Sequence, residues 1–218
     1  MKENDNWYSQ YNSEELQKRR IKKHRKKYLS YGLPQKTENQ VLLDLCCGSA
    51  EFSRLIAKHN PQSLVLGCDI FLEKKSLYYL GNLFFFSADA ISLSLPDSSV
   101  DQIFCFHSLH HLDGPGRWQR LVDEFHRVLK NGGYLHLVDH YPSPWLRLAF
   151  IAVRSPLSLM VPWLKKFREQ LKLEEEILSY WFENWEVFFH LVNQAGFERT
   201  VWSKKIFFFY SVFKKITQ

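Results

Sequence analysis

Short apolar runs alternate with segments of helical periodicity along most of the chain. Five apolar runs, each bounded by turn-like residues, predict buried strands. These runs are 41–46, 64–70, 83–86, 101–107 and 134–139. Between the runs, apolar residues spaced three and four apart predict helices; the clearest series starts at Trp118 and ends at Leu129. Repeated strand–helix units of this kind are typical of a parallel sheet with helices on both faces.

The C-terminal third departs from this alternation. Residues 143–173 are apolar and helix-like but contain three prolines, and a further helix is predicted from a cap at Asn184 to Gly196. Two strand-like runs, 197–202 and 206–213, then predict an antiparallel hairpin at the sheet edge. The whole pattern predicts a Rossmann-like α/β fold with a mostly parallel, seven-stranded sheet.

The formal net charge of +6 belongs to one segment. Eight Lys and Arg residues lie within 18–27, and without them the rest of the chain carries −2. Ser13, followed by two acidic residues, predicts the start of a basic helix. We therefore predict a basic helical extension over 1–34 and one α/β domain over 35–218. Such a helix is either simply solvated or attracted to anionic lipid. Nucleic acid is disfavoured, because no RNA-binding module accompanies the helix.

The cysteines and the N-terminus bear on the cellular compartment. Cys46, Cys47, Cys68 and Cys105 lack zinc-ligand spacing, and a chain of 218 residues does not need disulfides to be stable. The N-terminus has no apolar signal core. We expect reduced thiols in a cytoplasmic protein.

A turn of small residues follows the first predicted strand. Cys46-Cys47-Gly48-Ser49-Ala50 leads directly into a helix, whose N-terminus presents unpaired N–H donors to a ligand. Asp69 ends the next strand, where related folds hold a ribose diol. Such a turn is also compatible with a plain strand–helix connection. Hydride transfer from NAD is disfavoured, because the turn lacks two glycines of the G-x-G-x-x-G motif.

The segment from Asp44 to Ala50 resembles motif I of class I S-adenosylmethionine-dependent methyltransferases, commonly D-x-G-C-G-T-G. Cys46 and Ala50 stand where that motif usually has glycine, and the Cys-Cys-Gly sequence is similar to the version in menaquinone-pathway methyltransferases. A thiol or methyl group at these positions is small enough to leave the cofactor space open. The departures therefore do not indicate an inactive enzyme.

Further segments resemble the same family, in the family's order. Asp69 matches the ribose-binding acid, and Ala88-Asp89-Ala90 with Leu95-Pro96 matches the element whose Asp recognises the adenine amino group. The remaining matches are Ser98–Asp101, Arg127–Gly133 and Gln194–Phe197. The resemblance implies a methyltransferase domain that uses S-adenosylmethionine, and it implies nine cofactor-contacting residues. These are Asp44, Cys46, Gly48, Ser49, Asp69, Ile70, Asp89, Ala90 and His107.

Methyl transfer from a sulfonium mainly requires alignment of the donor and the acceptor. A base is needed only where the acceptor starts protonated. Candidates are His107, His110, His111, His140 and Tyr141, because the ends of the fourth and fifth strands face the ligand crevice. Each could instead shape a turn or pack beside the cofactor. His107, His110 and His111 straddle a strand end with no accompanying carboxylate or thiol pattern, so no metal is predicted.

The insert at about 143–183 is predicted to form a helical, apolar lid over the acceptor. It contains Trp145, Phe150 and Trp163 with interspersed Arg and Lys, which favours an interfacial position on an anionic membrane over a membrane span. We therefore expect a small apolar acceptor, quinol- or lipid-like. The R-N-V element of quinone C-methyltransferases is replaced here by His110-His111-Leu112.

Two other functions remain open at this point. The chain could methylate a nitrogen, oxygen or sulfur atom of a phospholipid head group or a small thiol. Alternatively, it could bind the cofactor as a regulatory module without catalysis. The sequence does not identify an oligomeric state.

Overall fold

The computed structural model covers most of the predicted α/β domain. It describes residues 37–72, 81–112, 114–156 and 162–216, without the side chains of 162–167 and 169–176. The predicted basic extension over 1–34, with its helix from Ser13, lies outside the described residues. All the predicted site residues lie within them.

One seven-stranded sheet forms the centre of the fold. Its strands are β1 (Val41–Leu45), β2 (Leu64–Asp69), β3 (Leu83–Ser87), β4 (Val100–Phe106), β5 (Leu129–His140), β6 (Phe197–Lys204) and β7 (Phe208–Lys215). They are ordered β3-β2-β1-β4-β5-β7-β6. Strands β1 to β5 are parallel, whereas β7 runs antiparallel to both β5 and β6. The predicted mostly parallel sheet and its C-terminal hairpin are confirmed.

Helices pack on both faces of the sheet because side chains alternate along buried strands. The helices are α1 (Glu51–His59), α2 (Pro115–Val128), α3 (Pro144–Arg154) and α4 (Pro162–Gln194). Leu42 packs with α1 in one cluster, whereas the adjacent Leu43 packs with α2 and the C-terminal part of α4 in the main core. A parallel strand covered on both faces is continuously apolar, as the run from Val41 to Leu45 mostly is.

In the described part of the insert after β5 there are two helices, and the prolines at their starts do not interrupt them. Pro144 and Pro162 are the first residues of α3 and α4, where a missing N–H leaves no hydrogen bond unmade. The predicted helix start at Asn184 is wrong. Asn184 lies inside α4, and its Nδ2 donates to the Tyr180 carbonyl at 2.9 Å. The apolar periodicity continues through this point, so the buried face of α4 outweighs the capping preference of Asn.

The carboxyl ends of the parallel strands meet at one edge of the sheet. This edge carries the turn after β1, Asp69 at the end of β2, Asp89 after β3, His107 after β4 and His140 at the end of β5. In open α/β sheets, ligands bind in the crevice outside this edge. The topology therefore brings the predicted cofactor and catalytic residues to one side of the molecule.

Candidate active site

The motif I turn, Cys46–Ala50, has an unusual backbone. Cys46, Gly48 and Ala50 all have positive φ angles, of 58°, 50° and 61°. Glycine adopts this left-handed conformation without strain, whereas residues with a Cβ rarely do. Cys46 and Ala50 thus hold a left-handed conformation that glycine would adopt without strain.

Asp69 joins the motif I turn to the end of β2. Its Oδ2 accepts the Gly48 N–H at 2.8 Å, and its Oδ1 accepts the Phe71 N–H at 2.9 Å. Burial raises the pKa of Asp69, and these backbone N–H groups partly oppose the rise. A carboxylate has about four acceptor positions, so two ribose hydroxyls can still be accepted.

Asp44 lies beneath the same turn and is almost fully buried. Its Oδ2 accepts the Ser53 hydroxyl from α1 at 2.5 Å. Burial raises its pKa to about 7, and repulsion by Asp69 adds to the rise. On the neighbouring strand Gly67 pairs with Asp44; a Cβ there would lie 2.5 Å from the Phe85 ring. The tight packing leaves Asp44 with little access to solvent, so its charge depends on what binds above it.

The other predicted cofactor residues lie around the same crevice. Asp89 accepts the Ile91 N–H at 3.2 Å, and Arg117 Nη2 lies 3.5 Å from its other oxygen. Ile70 is exposed beside Asp69, whereas Ala90 is buried in the main core. Ser49 contributes its carbonyl to Arg54 Nη1 at 3.1 Å. Ala90 can therefore offer a ligand its backbone more readily than its methyl group.

The space in front of the turn suits a nucleoside. A Cβ on Gly48 would meet no atom within 4 Å, so the backbone there faces open space. The crevice offers backbone N–H groups, the Asp69 carboxylate for a diol and the Asp89 carboxylate for an amino group. This donor and acceptor set fits the adenosine part of S-adenosylmethionine.

The four cysteines are free thiols, and they lie close to the turn. A hydrogen bond with Cys46 and burial hold the pKa of the Cys105 thiol well above its usual range. Burial likewise raises the pKa of Cys68 to about 12. The thiols of Cys68 and Cys105 therefore stay protonated at neutral pH and are poor nucleophiles.

Asp139 forms the second feature of the site, which the sequence analysis missed. It is fully buried, and its Oδ2 accepts the Leu109 and His110 N–H groups at 2.8 and 3.3 Å. Its Oδ1 accepts His110 Nδ1 at 2.7 Å and the His140 N–H at 2.6 Å. Burial alone would raise the pKa of Asp139, but His110 and His140 hold it well below its usual range. We call Asp139, His110 and His140 the Asp139 cluster.

His140 connects this cluster to the crevice. Its Nδ1 lies 3.2 Å from Asp139 Oδ1, and its side chain is 21% exposed. Trp181 Nε1 from α4 donates to its carbonyl at 2.8 Å, which fixes the end of β5. The ring centroids of His140 and His107 are 6.0 Å apart, and both rings contact Phe208. The structure thus brings His107 and His140 together at one place.

The remaining two candidates differ from His140. Burial lowers the pKa of His111 to about 3, and the nearby His110 adds to this effect. A base with so low a pKa removes protons poorly at neutral pH. The Tyr141 ring lies against Trp185, at 5.6 Å between centroids, and Lys204 Nζ is 4.8 Å from it. Tyr141 therefore forms part of the wall between β5, α4 and the hairpin.

The expectation that no carboxylate accompanies the histidines is wrong. Ligand-type atoms of His110, Asp139 and His140 lie within 4.8 Å of one another. The Asp139 oxygens, however, already accept hydrogen bonds from both histidine rings and from backbone N–H groups. This arrangement orients the histidines, and the absence of a metal stays a prediction.

A shallow groove of about 370 Å³ lies between α4 and β6. It is lined by Trp185, Glu186, Phe189, His190, Asn193, Arg199, Trp202 and Lys204. None of these is a predicted cofactor or catalytic residue. Trp185 and Lys204 both contact Tyr141, so one end of the groove adjoins the wall of the site.

Comparison with known proteins agrees with this geometry. Residues 43–137 match the family described as methyltransferase domain. A demethylmenaquinone methyltransferase of Listeria monocytogenes is 30% identical over 106 residues, 45% of this chain and 44% of that protein. A 27-O-demethylrifamycin SV methyltransferase of Amycolatopsis mediterranei is 33% identical over 115 residues, 47% and 40% of the two chains. This chain spans less than half the length of these curated relatives.

A solved structure extends the likeness to nearly the whole fold. A SAM-dependent methyltransferase from Aquifex aeolicus superposes with a TM-score of 0.58 at 19% identity, covering 90% of this chain and 93% of that one. Residues 43–137 thus resemble a methyltransferase domain, and the chain has the Rossmann-like fold of this solved structure. That protein and a structure from Methanosarcina mazei, at 22% identity and a TM-score of 0.58, are both described as SAM-dependent methyltransferases.

Proposed function

We propose that the whole protein transfers the methyl group of S-adenosylmethionine to a small apolar acceptor of quinol-like or lipid-like chemistry. The observation that carries this proposal is the position of the motif I turn and the Asp139 cluster at one edge of the sheet. When bound, the cofactor supplies a methyl group on a positively charged sulfur atom.

The residues on the β1–β3 side would hold the cofactor. Asp69 would accept the ribose hydroxyls, and Asp89 would accept the adenine amino group. Gly48 lets the ligand approach the backbone, because nothing projects from the turn there. His107 follows β4 directly, so it would lie between the cofactor and the acceptor.

His140 would remove a proton from an acceptor that starts protonated. Because its Nδ1 hydrogen-bonds to the Asp139 carboxylate, Nδ1 carries the proton and Nε2 is left as the base. The buried charge of Asp139 stabilises the imidazolium that forms. His111 is unsuited to this role because of its low pKa.

The acceptor side of the site is apolar and aromatic. Phe208 contacts both His107 and His140, and Tyr141 and Trp185 form the adjoining wall. This lining suits a flat, apolar ring system better than a charged head group or a small thiol. The names of two relatives, for demethylmenaquinone and demethylrifamycin substrates, support the same chemistry.

We further propose that the protein works in the cytoplasm at a membrane surface, where apolar acceptors reside. Among the described helices, none is both long and apolar enough to cross a bilayer. The proposed association is therefore peripheral.

Transfer of radiolabel from S-adenosylmethionine to a quinol or a lipid extract tests the proposed activity. We expect label in the apolar organic phase, and a loss of rate of about 100-fold for His140→Ala. His190→Ala, which changes an exposed histidine of α4, is the matched control and should keep the rate.

Other outcomes of this assay point to the alternatives. Cofactor binding without transfer to any extract would identify a regulatory module. Label in phospholipid head groups or in water-soluble thiols would replace the quinol-like acceptor with those compounds.

A further inference from the structure

Helix α3 is apolar on two faces. Leu146, Phe150 and Val153 are buried and pack with Leu178 of α4. Three other apolar residues of α3 face solvent and are between 55% and 66% exposed: Trp145, Leu148 and Ile151. These three residues are spaced by three, so they share one side of the helix. A helix with an apolar side facing away from its own protein indicates contact with another apolar phase.

The β6–β7 turn extends this apolar side. Ile206 is 60% exposed and Phe207 is 41% exposed. The turn is bonded to the start of α3, because the Ser143 hydroxyl donates to the Ile206 carbonyl. The Tyr141 N–H also donates to the Phe207 carbonyl at 2.9 Å. We call Trp145, Leu148, Ile151, Ile206 and Phe207 the docking patch.

The two segments that carry the docking patch have charged side chains of one sign. Arg147, Arg154, Lys204 and Lys205 lie on the same two segments and are exposed. Segments 140–156 and 202–208 contain no Asp or Glu. A two-fold dimer through this patch would place the same cationic surface against itself. A surface that combines exposed Trp and aliphatic side chains with Arg and Lys instead suits an anionic bilayer.

We propose that the docking patch inserts into the head-group region of an anionic bilayer and turns the His140 edge of the sheet toward the lipid. Both parts of the patch directly flank the site. Helix α3 starts four residues after His140, and His140 pairs with Phe208, the residue that follows the turn. Docking would thus let an apolar acceptor enter without crossing water, and this last point rests on the proposed function.

The two contributions to docking respond differently to salt. The attraction of Arg and Lys to anionic lipid is screened over about 8 Å at physiological ionic strength. Burial of Trp145 and its aliphatic neighbours is not screened, because it depends on apolar area removed from water. Binding should therefore fall with salt but keep an apolar component.

The test is co-sedimentation of the full chain with vesicles of phosphatidylcholine and phosphatidylglycerol, at low and high salt. We expect Trp145→Ala with Ile206→Ser to lower the partition coefficient by about 10-fold or more at both salt concentrations. Arg147→Ala with Lys205→Ala should lower it mainly at low salt. Val201→Ser, which changes an exposed apolar residue of β6 outside the patch, is the matched control and should bind as wild type.

Three results would overturn the proposal: no binding of the intact protein at low salt, equal loss in the Val201→Ser control, or unchanged binding of the Trp145→Ala/Ile206→Ser variant. The last result would assign vesicle binding to another part of the chain. Sedimentation without lipid that shows a dimer abolished by the patch variant would make a second copy the occupant. The test uses neither cofactor nor turnover, so its outcome is separate from that of the methyl-transfer assay.

Discussion

The motif I turn and the Asp139 cluster lie at the same edge of the sheet but are held in different ways. Backbone conformation dominates the turn, where three of five residues have positive φ. A single side chain dominates the cluster, where Asp139 accepts hydrogen bonds from Leu109, His110 and His140. The turn is built for a ligand to approach closely, whereas the cluster is built to orient side chains.

The two buried carboxylates show the same contrast in charge. Burial raises the pKa of Asp44 to about 7, with one hydroxyl donor opposing it. Asp139 is also buried, but its interactions with His110 and His140 hold its pKa well below the usual range. Hydrogen-bond donors and nearby cationic groups thus decide whether a buried carboxylate stays charged. The pKa shifts of the two buried carboxyls therefore have opposite directions.

The largest expected effect concerns the turn. Gly48→Val should weaken S-adenosylmethionine binding by at least about 100-fold, because a branched side chain fills the ligand's space and resists a φ of 50°. A Cβ at this position would meet no protein atom within 4 Å, so we expect the strain to stay within the turn and the rest of the fold to survive. Titration calorimetry and a thermal melt measure the two effects.

Gly81→Val is the control for Gly48→Val, since it adds the same side chain at a position that is also open but lacks positive φ. We expect normal binding for this variant. If Gly48→Val also bound normally, the turn would not line the cofactor site.

The next largest effect is expected on the catalytic rate and not on cofactor binding. Asp139→Asn should lower kcat by about 100-fold, because the neutral amide no longer stabilises a protonated His140. Cofactor affinity should change by less than about 3-fold, since Asp139 accepts hydrogen bonds from Leu109, His110 and His140, which are not predicted cofactor residues. Equal losses in kcat and in affinity would mean that Asp139 acts by holding the fold.

The contrast between the two regions also explains what the sequence could predict. The turn lies in one contiguous segment, so a local motif and small residues identified it. The Asp139 cluster joins residues about 30 positions apart, and its contacts arise only when β4 and β5 become neighbours. A signal was present, because Asp139 is an acidic residue in the buried and mostly apolar C-terminal half of β5.

Two further features depended on long-range packing. The buried face of α4 continues past Asn184, so a local capping preference gave a wrong helix start. The docking patch depends on the bond between Ser143 and Ile206, which are distant in sequence. The alternation of strands and helices was predictable because parallel strands covered on both faces are apolar throughout.

The smallest expected effect concerns pH. S-adenosylmethionine carries a sulfonium and an ammonium group, so its binding should favour the ionised form of Asp44. Because the pKa of Asp44 is raised to about 7, the carboxyl loses its proton as the pH rises through that value. We expect affinity to increase by up to about 10-fold between pH 5.5 and pH 8, as measured by calorimetry.

Asp44→Asn tests the source of this pH dependence, since the amide can still accept the Ser53 hydroxyl but cannot ionise. Its affinity should vary little with pH. The demethylated product, which lacks the sulfonium charge, should show a smaller pH dependence of affinity with the wild-type protein.

The stability of the protein without ligand should have the opposite trend. Asp44 keeps its proton in the folded state at pH values where it has lost it in the unfolded chain. The free energy of unfolding should therefore fall from pH 4 to pH 7. Asp44→Asn should reduce that fall, and an unchanged slope in both measurements would assign the titration to Asp69, whose pKa is also raised by burial.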